Sequence, residues 1–97
     1  MARTAAAQME GPAKLREWRE RHGLSRDELA ARIGFTDGSS VRNYEHGRRH
    51  MLYRRLIAAS QLTGISVWDL AFPTQREEMV ALAKAVPRRL VLMRGKR

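Results

Sequence analysis

A chain of 97 residues makes one small domain, whose folding buries roughly 60% of the unfolded chain's surface and leaves no room for a large catalytic cavity. Nineteen Lys plus Arg against ten Asp plus Glu give a formal charge of +9 and a pI near 11.4, a balance that favours a polyanionic partner, nucleic acid foremost. The absence of cysteine excludes a disulfide framework and a thiolate metal site, no apolar stretch approaches the ~20 residues of a membrane span, and the opening MARTAAAQMEGP lacks a signal peptide's apolar run, so a cytoplasmic protein is expected.

Helix signals follow one another along the chain and strand alternation is nearly absent, which predicts an all-α domain. Residues 1–11 are small and polar and read as a flexible arm. Pro12 suits the first turn of a first helix, with Leu15 and Trp18 inward and Gly23 at its end. Ser25 and Glu28 form a capping-box pattern opening a short second helix, with Leu29, Ala30 and Ile33 inward and Gly34 at a left-handed cap. After FTDG comes a third helix with Val41 and Tyr44 inward, ended by Gly47; a fourth runs from near Leu52 to Leu62 and stops at Gly64. Ser66 caps a short fifth helix containing Trp68 and Leu70. Thr74 and Glu77 repeat the capping-box pattern for a sixth, carrying Met79, Leu82, Ala83 and Val86 and kinked or interrupted at Pro87. Beyond it, LVLM (90–93) suits a short strand or more helix, and RGKR is a basic tail.

Two short helices joined through a glycine make a helix-turn-helix arrangement. If the third helix turns Val41 and Tyr44 inward, Ser39, Ser40, Arg42 and Asn43 lie on its outer side, where a helix in the major groove meets base edges that differ in donors and acceptors. Arginine suits guanine and asparagine suits adenine. Phosphate contacts position a protein without reading sequence, and the candidates for them are Arg26, Arg48, Arg49 and Arg54, with His50 and Arg55 in the same basic stretch and one of Arg54 and Arg55 free to point away. Arg26 would add positive charge to a helix terminus that is already positive, a placement that a phosphate makes sensible.

From Leu15 to Leu70, the stretches LREWRERHGLSRDELAARIG, VRNYEHGRR and LTGISVWDL resemble the Cro/C1-type (XRE-like) helix-turn-helix family of phage and bacterial transcription regulators, over somewhat more than half the chain. The most specific elements are HGLSRDELA, against the family's G-L-[ST]-x-x-x-L-A, and YEHGRR, against its apolar or aromatic residue, Glu, any residue, Gly and basic residues. The resemblance implies an all-α, compact five-helix lambda-repressor-like DNA-binding domain over residues 12–72, followed over 73–97 by an additional C-terminal helix and basic tail available for dimerisation or a protein partner. It implies double-stranded DNA as partner, a homodimer, and a repressor that binds an inverted-repeat operator. It also implies an ion pair between Arg19 and Glu45, a role that suits a carboxylate repelled by phosphate.

The turn departs from the family pattern: six residues, FTDGSS, separate Gly34 from Val41 where five are common. Either Asp37 is the N-cap with Gly38 the first helical residue, or Ser39 caps the helix after a tight Asp-Gly turn. Both alternatives put short side chains at the helix start and shift base reading toward Arg42 and Asn43. His46 and His50 have i, i+4 spacing, but Gly47 should end the helix between them, so no metal or other cofactor is expected. There is no cysteine nucleophile, the adjacent Glu77 and Glu78 fall on different helix faces, and no Gly-rich phosphate cradle occurs, so an enzyme is not expected. A second reading keeps the DNA-binding domain but makes the chain an antitoxin, neutralising a toxin through its C-terminal segment and regulating its own operon. A third is an RNA-binding or polymerase-associated cofactor.

Overall fold

The computed structural model describes residues 8–85. They form six helices: α1 Glu10–Arg21, α2 Arg26–Ile33, α3 Ser39–Glu45, α4 Tyr53–Thr63, α5 Val67–Leu70 and α6 Pro73–Ala85, with no strand among the described residues. α2 has the capping box that its sequence announces: the Ser25 hydroxyl accepts from the Glu28 N–H at 3.0 Å, and the Ser25 N–H donates to Glu28 Oε1 at 2.8 Å. These bonds from Ser25, the backbone one first, hold the Glu28 carboxyl below the usual carboxylate range. α2 closes at Gly34, whose φ of 92° is open to glycine and strained for other residues. The Arg55 guanidinium lies against this cap, over the Phe35 ring at 5.3 Å, and puts a cation at the negative end of α2.

The helices surround one core made by Leu15 of α1, Leu29, Ala30 and Ile33 of α2, Val41 and Tyr44 of α3, Met51, Leu56 and Ala59 of α4 and the loop before it, and Leu70, Ala71 and Phe72 after them. Fully burying each such leucine contributes roughly 1.5–3 kcal/mol. Tyr44 links α3 to the far end of the domain: its ring stacks on Phe72 at 5.6 Å, and its hydroxyl donates to the Leu70 carbonyl at 2.6 Å. Burial pushes the Tyr44 phenol above its ordinary range, so it remains a neutral donor. Trp18, read as inward, is half-buried at the core's margin and stacks on His22 at 4.0 Å.

Two sequence expectations need correction. The arm assigned to residues 1–11 extends too far, because Glu10 and Gly11 are the first turn of α1 and Gly11 is buried beneath α5. Residues 1–7 lie outside the described residues. The capping box of Thr74 and Glu77 does not form; α6 already begins at Pro73, which suits a first helical position, so Thr74 stands inside the helix. Gln75 does the reaching back: its Oε1 accepts the Phe72 N–H at 3.0 Å, and its Nε2 donates to the Met51 carbonyl at 2.7 Å. Pro87, Val86, the LVLM segment and the basic tail also lie outside the described residues. No helix among the described residues is long and apolar enough to cross a membrane.

Candidate nucleic-acid interface

α2 and α3 are joined by the longer turn, and the two termini that it brings together explain how the turn is tolerated. Gly38 is the residue before the first helical residue, between the two alternatives allowed by sequence, and Ser39 opens α3. The Gly38 N–H donates to Asp27 Oδ1 at 2.6 Å, so a side chain from the first turn of α2 satisfies the start of α3. A Cβ at Gly38 would stand 2.5 Å from that oxygen and 3.0 Å from both Arg26 Cβ and the Asp27 nitrogen. Only glycine lets the helices approach this closely. Asp37 Oδ1 accepts the Ser39 N–H at 2.9 Å and also the Ser39 hydroxyl. These bonds, the hydroxyl's first, hold the Asp37 carboxyl below the usual range. Asp27 and Asp37 thus place negative charge at the positive end of α3. Sequence reasoning gave Asp27 no role, since its partner is eleven positions away and becomes visible only when the helices pack.

Of the residues assigned to base reading, Ser39 and Arg42 are exposed, while Ser40 and Asn43 are half-buried. The Ser39 proton goes to Asp37, which leaves that hydroxyl only its acceptor capacity. Arg42 and Asn43 make no side-chain hydrogen bond among the described residues. On the opposite side of α3, Val41, Tyr44 and Glu45 are buried, so the helix rests on the core by one face. Arg42 and Ser39 share a polar cleft of about 500 Å³ with Arg26, Asp27 and Asp37 at the junction of α2 and α3.

Glu45 is 3% exposed and is held by two arginines. Arg19 meets it with two bonds, Nε to Oε2 at 2.7 Å and Nη2 to Oε1 at 3.1 Å, while its Nη1 donates to the Leu24 carbonyl at 3.0 Å. Glu45 holds the Arg19 guanidinium above its usual range, against the opposing effect of burial. Arg26 adds a third bond, Nε to Oε1 at 3.0 Å. This bond corrects the expectation that Arg26 needs a phosphate partner. Its charge at the start of α2 is balanced by Glu45, and its position needs no phosphate to account for it. The α1 arginine, the α2 arginine and the last residue of α3 form one network that fixes the angle between the three helices.

The remaining arginines divide by whether they are occupied. Arg55 is turned inward to the α2 cap, its Nη1 3.4 Å from the Ile33 carbonyl. Arg48, Arg49 and Arg54 are exposed and have no ion pair or side-chain hydrogen bond among the described residues. Gly47, φ 71°, ends α3 in the left-handed conformation and turns the chain so that Arg48 and Arg49 follow the helix directly. The loop is supported from below, where Gln8 Nε2 donates to the Gly47 carbonyl at 3.1 Å. Among the described residues no group of His, Cys, Asp and Glu is placed to hold a metal ion.

This arrangement, a helix seated by its apolar face with polar side chains outward and unpaired arginines at its end, is suited to entering a groove of double-stranded DNA. No curated protein and no solved structure matches the chain. A helix-turn-helix family model matches residues 15–67, which contain α2, the turn, α3 and α4; the chain belongs to the Cro/C1-type helix-turn-helix family of DNA-binding transcription regulators.

Proposed function

We propose that the protein is a sequence-specific repressor that binds double-stranded DNA as a homodimer on an inverted-repeat operator, with α3 in the major groove. The observation that carries this reading is the division of α3 into a buried face of Val41, Tyr44 and Glu45 and an outer face where Arg42 and Asn43 have no partner of their own. Arg42 and Asn43 read bases, each good bidentate contact discriminating by roughly 1–3 kcal/mol, and Ser39 and Ser40 add shorter contacts. Arg48, Arg49 and Arg54 bind phosphates, and Arg26 contributes through the end of the guanidinium that Glu45 leaves open. The work is binding in the cytoplasm, without catalysis or cofactor. The antitoxin reading draws on Val80 and Leu82, exposed apolar residues on α6, and copurification of a stable partner protein through residues 74–97 would favour it.

The phosphate assignments make a prediction about salt. Each phosphate contact releases counterions, so replacing Arg48 or Arg49 with alanine weakens binding on every duplex and lowers the slope of log K against log salt by about one unit. Titrations of wild type and the double variant over a range of salt concentrations measure this, and an unchanged slope in the double variant would refute the placement.

A further inference from the structure

Past its first turn, α6 presents Glu77, Val80, Ala81 and Lys84 away from the core; all four are exposed and share one stripe at i, i+3, i+4 and i+7. With Trp68 of α5 and Arg76 they line a groove of about 410 Å³. Trp68 is 46% exposed, and the Arg76 guanidinium, tied to the Trp68 carbonyl at 2.8 Å and the Asp69 carbonyl at 3.3 Å, lies 5.4 Å from its ring centroid. Neither Glu77 nor Lys84 has an ion-pair partner among the described residues.

We propose that this face of α6 is a two-fold interface on which a second copy of the chain packs its own α6 antiparallel, Glu77 of each chain meeting Lys84 of the other. The two charges are separated by seven positions, roughly 10.5 Å along the helix. With the two-fold axis between Val80 and Ala81, the antiparallel register matches every contact: acid meets base twice, and Val80 meets Ala81 twice. A parallel register would set Glu77 on Glu77 and Lys84 on Lys84. Of the two helix orientations that a closed isologous dimer allows, the charge pattern favours the antiparallel one, in which the face is complementary to itself. Ala81 at the crossing lets the helix axes approach to about 8 Å, and Trp68 flanks the crossing as an aromatic anchor. One helix face and one tryptophan bury less than the ~1,200 Å² of a standard interface, so the dimer is weak in solution and is completed where adjacent half-sites hold two chains together. That last step rests on the operator reading; association of the free protein does not.

Sedimentation of the full chain, free of DNA and at fixed salt, tests the interface with wild type, Glu77→Lys, Lys84→Glu and the double exchange. Each single reversal sets two like-charge pairs in the dimer and is expected to weaken self-association about tenfold, and the double exchange to return it to within about threefold of wild type. All these positions are exposed, so the fold is retained, and the affinity of each variant for a single half-site should stay at the wild-type value. Wild-type association with this charge-swap pattern but no duplex preference would support the interface while removing the operator reading. Single reversals that associate like wild type, a double exchange no better than the singles, or a wild type that remains monomeric in solution and binds paired half-sites without cooperativity would overturn it.

Discussion

Replacing Glu45 with alanine is expected to destabilise the domain by about 3 kcal/mol, the lower end of the ~3–5 kcal/mol cost of breaking a buried ion pair. The carboxylate is almost wholly buried and accepts three bonds from Arg19 and Arg26, so its loss leaves two guanidinium groups facing each other with no anion between them. Arg19 is the more enclosed, its side chain 11% exposed against 32% for Arg26, and retains only its bond to the Leu24 carbonyl. Arg26 can turn to water, which holds the cost below the upper figure. Urea unfolding of Glu45→Ala, Arg19→Ala and the double variant measures both the cost and the coupling. The geometry predicts that Arg19→Ala costs little once Glu45 has gone, and additive effects would contradict a shared network.

Gly11→Val should be comparably damaging although it lies in the first turn of α1, where substitutions are usually mild. A Cβ there would stand 2.7 Å from the Asp69 carbonyl, 2.7 Å from the Tyr44 hydroxyl and 2.8 Å from the Leu70 carbonyl. Two of these atoms are backbone and the third is the donor that joins Tyr44 to α5, so none can move without opening the contact between α1 and α5 or breaking the Tyr44 hydrogen bond. Overpacking of this kind costs about 3 kcal/mol, and the branched valine adds to what alanine would do. The urea midpoint should fall with little change in slope, while Gly23→Val, where no atom lies within 4 Å of the added Cβ, loses only what the positive φ demands. Equal losses at the two glycines would show that α1 does not dock where described.

The difference between these glycines also shows what could be read from the sequence. Local features were legible: Ser25 with Glu28, Gly34 after Ile33, and Val41 with Tyr44 at i and i+3 each involve a few consecutive residues whose geometry is fixed by helix formation itself. On α3 the exposure of Ser39 and Arg42 follows from the inward Val41 and Tyr44, whereas Ser40 and Asn43 are half-buried. Features that depend on packing between distant segments were not legible. Gly11 looked like part of a polar arm because nothing near it in sequence announces α5. Asp27, Arg55 and Gln75 resemble ordinary surface residues until their partners Gly38, Ile33 and Met51 arrive. For Arg26, charge, helix position and the family resemblance point to phosphate, and only the fold brings Glu45 to it. Thr74 with Glu77 carried the right letters for a capping box, but Pro73 had already started the helix.

The proposed base reading by Arg42 and Asn43 of α3 is open to one decisive measurement: selection from randomised duplex DNA at one stated salt concentration, applied to wild type and to Arg42→Ala and Asn43→Ala. Wild type should enrich an inverted repeat whose half-sites are centred about 34 Å apart or a multiple of it. Each variant should lose preference at particular base pairs, guanine for Arg42 and adenine for Asn43, while keeping preference elsewhere in the half-site. If both variants keep the full wild-type preference and lose affinity equally on every duplex, Arg42 and Asn43 do not read bases and the claim for α3 fails.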